Sequence, residues 1–160
     1  MKTVYLMRHG KAEAQSDPSA DHSRKLIQTG VTRTRKAAMW LRRLGIHPSF
    51  FLSSSATRCI ETMQLTASIL DHMPSTMIEN AALYHADQNT ILRICRMQSD
   101  AHTNMLLVAH DPGLCNLINE VASVHMDKFP TSAIAGICFQ AKQWKNIAIE
   151  KSELVFMHKP

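Results

Sequence analysis

Short apolar runs recur along this chain, each followed by a longer stretch whose apolar residues fall three and four positions apart. Val4-Tyr5-Leu6-Met7, Phe50-Phe51-Leu52 and Met105-Leu106-Leu107-Val108-Ala109 have the continuous apolar character of strands buried on both faces of a parallel sheet. Strands are therefore expected over Thr3–Met7, Ser49–Ser53, Thr76–Glu79 and Asn104–Ala109. Helices are expected over Val31–Leu44, with Ala37, Trp40, Leu41 and Leu44 as the apolar stripe, and over Ala56–Leu70, with Ile60, Met63, Ala67 and Leu70. Two more follow: Asp87–Gln98, turning Ile91, Leu92 and Cys95 inward, and Pro112–Ala122. Gly45 is placed to stop the first helix and Pro112 to start the fourth. A polar segment, Glu13–Gln28, separates the first strand from the first helix. Ala133–Ala141 and Lys145–Glu150, the latter reaching toward Val155, read as a closing antiparallel pair. This alternation predicts an α/β fold of three layers, a mainly parallel sheet flanked by helices on both faces. No repeat, low-complexity tract or linker divides residues 1–160, so a single domain is expected.

Composition narrows the class. Of 160 residues, 45% are hydrophobic and 19% charged, the balance of an ordinary globular chain with a core of useful size. No apolar run approaches the roughly 20 residues of a membrane span, and the apolar start is too short for a signal peptide. A cytoplasmic protein without a membrane partner is expected. Cys59, Cys95, Cys115 and Cys138 form no Cys-x-x-Cys pair and read as small buried hydrophobes in a reducing compartment, not as a zinc site. A cysteine-based phosphatase needs an arginine six residues past its nucleophile; those positions hold Leu65, Ala101, Val121 and Trp144. A Walker A loop and an Asp-x-Asp magnesium pair are also absent. The net charge of +5 owes much to Arg24, Lys25, Arg33, Arg35, Lys36, Arg42 and Arg43. The arginines of Val31–Leu44 fall mostly opposite its apolar stripe and read as a solvated face. An acidic protein partner, docked through Arg35 and Lys36, comes next, ahead of nucleic acid, because no stacking aromatics interleave with the charges.

The chemistry sits at the strand ends. Arg8-His9-Gly10 follows the first strand, Ser53-Ser54-Ser55 and then Arg58 follow the second, and His110 follows the Met105–Ala109 run. If these strands are parallel, all three exits open on one edge of the sheet, where open α/β sheets bind ligands. Two arginines facing two histidines suit a tetrahedral dianion, because guanidinium forks match phosphate oxygens. Gly10 lets the backbone turn close to whatever is bound.

These residues carry a resemblance. Arg8-His9-Gly10, the four-residue steps Ser54, Arg58 and Thr62, and the strand-end His110 resemble the histidine phosphatase superfamily over about Lys2 to Phe139. Chain length, Arg24 and Leu26 before Gly30, and Phe129-Pro130-Thr131-Ser132-Ala133-Ile134-Ala135 are similar to its SixA-like phosphohistidine phosphatase branch. The resemblance implies a phosphoglycerate mutase-like fold and a hydrolase that needs neither metal nor cofactor. It implies that His9 takes the phosphoryl group, that water releases it, and that Arg8, Arg58 and His110 (the last as imidazolium) hold its oxygens. Gly10, Ser54, His85, Thr131 and Ser132 would then line the substrate site. The two guanidinium groups would oppose protonation of His9 and keep it nucleophilic near neutral pH. One departure is Ile27, where the family often has a helix-capping Thr; Thr29 is the expected substitute cap. Asp111 reads as a turn or cap residue.

Whether a proton donor is present decides the substrate. Phosphomonoester members of the superfamily often carry a Glu or Asp donor two residues past a leucine; here that leucine matches Leu83 and the position holds His85. Protonating an alkoxide leaving group is worth about 10²–10⁴-fold, whereas a phosphorylated imidazole departs more readily. Phosphohistidine on a protein, such as a phosphotransfer domain of a phosphorelay, is therefore the expected substrate. One rival is a small-molecule phosphomonoesterase with His85 or Asp87 as the acid. The other is a phosphoprotein-binding module that does not turn over. Asp87 reads more readily as a helix N-cap.

Overall fold

In the computed structural model, which describes residues 1–72 and 74–160, the apolar runs become one sheet. Its strands are β1 (Lys2–Arg8), β2 (Phe51–Ser54), β3 (Met77–Asn80), β4 (Asn104–Ala109), β5 (Ile134–Phe139) and β6 (Ser152–His158), in the order β3-β2-β4-β1-β5-β6. The pairs β1–β4, β2–β4 and β2–β3 are parallel, while β5 runs antiparallel to both β1 and β6. Helices α1 (Gln28–Arg43) and α2 (Thr57–Ile69) cover one face, α3 (Gln88–Arg96) and α4 (Gly113–Ala122) the other. The two-residue period of β4 divides its side chains between them. Met105, Leu107 and Ala109 pack with α3 and α4, whereas Leu106 and Val108 pack with α1 and α2. No helix among the described residues is long and apolar enough to cross a membrane.

The order of the strands sets where a ligand can bind. From β1 the chain crosses through α1 toward β2; from β4 it crosses through α4 to β5, on the other side of β1. The connections leave the adjacent strands β1 and β4 in opposite directions, and that switch opens a crevice at their carboxyl ends.

Three local expectations need correction. α1 starts at Gln28, not Val31, with Ile27 in the N-cap position and no side-chain cap; Thr29 lies within the first turn. Tertiary bonds fix the entry instead: Leu26 N–H donates to Glu61 Oε2 (2.7 Å) and Ile27 N–H to the Lys11 carbonyl (3.0 Å). Leu44, expected in the apolar stripe, is 53% exposed, because the helix has already ended. Gly45 has φ +67°, and Gly45 N–H to Arg42 O with Ile46 N–H to Leu41 O completes a Schellman stop. The closing strand is Ser152–His158, while Lys145–Glu150 lies among the 3₁₀ turns Trp144–Asn146 and Ile149–Lys151. Trp144 forces this: it is fully buried, with its backbone N–H on Asp100 Oδ1 and its indole N–H on the His102 carbonyl (both 2.8 Å).

Gly30 lets α1 approach the loop that leaves the site. A Cβ there would lie 2.1 Å from the Lys11 carbonyl oxygen, a backbone atom that cannot swing aside. Gly30→Ala is expected to cost about 3 kcal/mol in denaturant unfolding. A loss under about 0.5 kcal/mol, the range of an ordinary surface change, would show that this approach is not tight.

Candidate active site

The carboxyl ends of β1, β4 and β2 deliver their side chains to that crevice. His9 follows β1, and its backbone N–H donates to the carbonyl of Ala109 at the end of β4 (3.2 Å). His110 is the next residue on that neighbouring strand, so the two imidazole centroids stand 5.2 Å apart. Arg58 enters from the first turn of α2, buried to 2% exposure.

Hydrogen bonds define the tautomers. The Gly10 carbonyl lies 2.8 Å from His9 Nδ1 and can only accept, so Nδ1 carries the proton and Nε2 keeps its lone pair. Arg58 Nε donates to that Nε2 at 3.4 Å, a long bond that an approaching phosphorus atom can replace. Arg58 Nη2 faces His110 Nδ1 at 3.4 Å, so His110 donates from Nε2 to Ser54 Oγ (2.8 Å).

Asp21 holds this arrangement from behind. It sits in the 3₁₀ turn Pro18–Ser23, where its backbone carbonyl accepts from Arg58 Nη1 (2.7 Å) and its Oδ2 from Nη2 (3.2 Å). Oδ1 accepts from Arg24 Nε (3.0 Å) and Nη2 (2.8 Å), while Oδ2 also accepts from the Tyr84 hydroxyl (2.5 Å) and lies 3.3 Å from His85 Nε2. Arg8 is anchored separately, by the Phe129 carbonyl (2.6 Å) and by Asp111 Oδ2 (3.2 Å).

Burial and charge set the protonation states. Burial lowers the His9 pKa to about 4, with Arg58, Arg8 and Arg24 adding to the effect and the Gly10 carbonyl opposing it. Burial takes His110 to about 2, with repulsion from His9, Arg58 and His85 adding. His110 is thus a neutral imidazole here, not the expected imidazolium. Burial pushes the Asp21 carboxyl up, but the bonds from Tyr84 and Arg24 and the charge and bond of Arg58 overcome it and hold it well below the carboxylate range. Burial wins at Asp111, whose carboxyl is raised despite Arg8.

Several expected substrate residues act from behind the site. Gly10 has its N–H on Thr62 Oγ1 (2.9 Å) and its carbonyl on His9, so it orients the ring. Ser54 is fully buried against His110. Ser132 is also fully buried, its Oγ 3.0 Å from Thr34 Oγ1 and its N–H shared between the carbonyls of Arg8 and His9. Thr131, by contrast, lines the open cavity with Arg8 and His9. His85 does not line that cavity; it is exposed beside Tyr84, and its ring lies 5.3 Å from His110. Asp87 is removed from the chemistry: it caps α3 by accepting from Thr90 N–H (2.7 Å).

Sequence reasoning missed Asp21, Tyr84 and the Asp111 pairing with Arg8. A signal for the Asp21 turn was present: Asp17 followed by Pro18 is an N-cap before a helix-starting proline, and Asp17 Oδ1 does accept from Ser19 N–H. Among the described residues, no group of three His, Cys, Asp or Glu side chains is placed to hold a metal ion.

The profile of the histidine phosphatase superfamily (branch 1) matches residues 4–84. An uncharacterized protein of Mycobacterium leprae is 34% identical over 166 residues, spanning 96% of this chain and 99% of that protein. One from Mycobacterium tuberculosis is 32% identical over 164 residues, with the same shares covered. Among solved structures, SixA from Agrobacterium tumefaciens superposes with a TM-score of 0.80 at 23% identity over 99% of both chains. The protein histidine phosphatase SixA complexed with tungstate gives 0.78 at 22% identity, over 97% of this chain and 95% of that one. A mycobacterial glucosyl-3-phosphoglycerate phosphatase gives 0.66 at 12% identity, over 96% and 97%. At these identities the structural likenesses are of fold.

The neutral histidines make stability pH-dependent. Both start from 6.5 and are lowered by folding, so below 6.5 the unfolded chain binds more protons than the folded one. Stability is therefore expected to fall as pH drops from 6.5 toward about 4, by up to about 1.4 kcal/mol per pH unit for each histidine. Asp21, whose pKa is depressed, adds its own loss only below 3.8. Urea unfolding at pH 7, 6 and 5 tests this, and a flat profile would refute the buried neutral pair.

Proposed function

This chain belongs to the histidine phosphatase superfamily and is a phosphatase, and on that premise we propose that its substrate is phosphohistidine on a protein, of the phosphotransfer-domain kind used in phosphorelays. The observation that carries the reading is that, among the described residues, no carboxyl group beside His9 is free to give a proton. Asp21 is held ionised by Arg58, Arg24 and Tyr84. Asp111 has the raised pKa of a potential acid, but its Oδ1 is buried, Oδ2 is tied to Arg8 and Phe129, and it does not line the cavity. Asp87 caps α3. An alkoxide leaving group lacks a carboxylic acid here; an imidazole leaving group does not need one.

The reaction then runs in two balanced steps. His9 Nε2 attacks phosphorus, its N–P bond forms, and the substrate's N–P bond breaks with the electron pair returning to the substrate imidazole, which takes its proton from solvent. Arg8 and Arg58 meet the charge on the equatorial oxygens, and the Gly10 carbonyl steadies the Nδ1–H of the phosphorylated ring. Water then attacks phosphorus, the N–P bond breaks back onto Nε2, and phosphate departs with the water's oxygen. The SixA structures support this reading by likeness of fold, with TM-scores of 0.80 and 0.78, against 0.66 for the sugar-phosphate phosphatase. A cytoplasmic location agrees with four cysteines that form no disulfide.

One observation favours a second reading. His85, with its side chain 57% exposed, 3.3 Å from Asp21 Oδ2 and its ring 5.3 Å from His110, is an exposed imidazole near enough to the centre to serve as the acid for a small phosphomonoester. The binding-module alternative gives way to membership of a phosphatase family.

Wild type without added metal is expected to release phosphate from a phosphohistidine-bearing phosphotransfer domain, and His9→Ala to lose at least about 10³-fold of that rate. An alkyl phosphate is expected to turn over about 10²–10⁴-fold more slowly. Rapid alkyl phosphate turnover, lost in His85→Ala, with no release from phosphohistidine would replace this reading with the second.

A further inference from the structure

More positive charge surrounds the cavity than one phosphoryl group can use. The space beyond His9, about 500 Å³, is lined by Arg8, Lys11, Arg24, Arg33 and Lys128 and by no Asp or Glu. These cations come from separate stretches: the end of β1 and the loop after it, the segment after the 3₁₀ turn, α1, and the loop before β5. They split into two kinds. Arg8 and Arg24 are anchored by Asp111 and Asp21. Lys11, Arg33 and Lys128 are exposed, and among the described residues none of their side chains makes a hydrogen bond or ion pair. Of the basic residues on α1, Arg33 faces this cavity; Arg35 and Lys36, expected to dock a partner, do not line it.

A phosphoryl group on His9 has three non-bridging oxygens, and the guanidinium groups of Arg8 and Arg58 already answer their charge. The outer three therefore face a different part of the substrate. A fixed second phosphate site would have buried, anchored donors, as Arg58 is. Exposed cations on long side chains instead fit carboxylates spread over a protein surface. We propose that Lys11, Arg33 and Lys128 pair with Asp and Glu side chains flanking the phosphohistidine, so that an acidic surround selects the protein substrate. This rests on the phosphohistidine reading and names its specificity.

Two chemically phosphorylated peptides test it, each with one phosphohistidine, flanked by Asp and Glu in one and by Ser and Gln in the other. A screened surface pair is worth a factor of about 1.4 to 5, so three pairs predict about tenfold higher kcat/KM for the acidic peptide in wild type. The preference is expected mainly in KM, to shrink with salt, and to approach unity in the Lys11→Ala/Arg33→Ala/Lys128→Ala variant, with thermal unfolding reporting its fold. Arg33→Glu is expected to favour a third peptide flanked by Lys. Equal kcat/KM for the acidic and neutral peptides in wild type, or a preference that survives the triple variant, would overturn the inference and leave the phosphohistidine reading standing. Turnover of neither peptide alongside turnover of an alkyl phosphate would overturn both.

Discussion

One carboxylate makes the buried centre possible. Arg58 is 2% exposed, and a guanidinium taken from water without compensation costs several kcal/mol. Asp21 supplies both the opposite charge and the acceptor atoms, and it spends its other lone pairs on Arg24 and Tyr84. With two nitrogens of the Arg58 fork fixed this way, Nε and the far side of Nη2 can point only at His9 and His110. The same charge that Asp21 holds in place helps to keep both imidazoles neutral. A turn from the polar stretch after β1 therefore adds to burial in setting the state of residues at the ends of two strands.

Arg8 and Asp111 repeat the device on the other side of His9. The price is visible: Arg8 Nε and Asp111 Oδ1 are buried without a hydrogen-bond partner. Two carboxylates near a site meant for a dianion weaken its attraction, yet without them the arginines would swing out to water when the site is empty. Donors already in place spend no reorganisation energy when charge develops on the reacting phosphoryl group. The exposed cations at the rim restore the positive field that the two inner carboxylates reduce.

The reactive core was legible because its signals are local. An apolar run ending in Arg8-His9, or in His110, places a side chain at a strand exit whatever the rest of the chain does, and parallel pairing then brings the exits together. Arg58 was legible from its step between Ser54 and Thr62, and Thr62 does join the loop after His9 to α2 through Gly10 N–H. Asp21 was not, since its value depends on three residues distant in sequence, Arg58, Tyr84 and His85, that meet only in the folded chain. Ser132 was placed on the substrate by the family resemblance alone, but φ +62° and two backbone acceptors turn it inward. Lys145–Glu150 read as a strand because nothing local announces that Trp144 will be swallowed by the core.

On the phosphohistidine reading, the first step exchanges one nitrogen–phosphorus bond for another of the same kind, so bond strength gives it little direction. Direction comes from the surroundings. The substrate imidazole leaves into water, where it can take a proton, whereas His9 lies in a buried cationic pocket that resists one. A phosphorylated His9 is correspondingly an easily displaced group, and the arginines hold its phosphoryl oxygens for the incoming water. Hydrolysis then removes the product that could run the exchange backward. A crevice that makes its own intermediate short-lived has little need of a strong acid, which accords with a cationic rim and an unoccupied carboxylic-acid role beside His9.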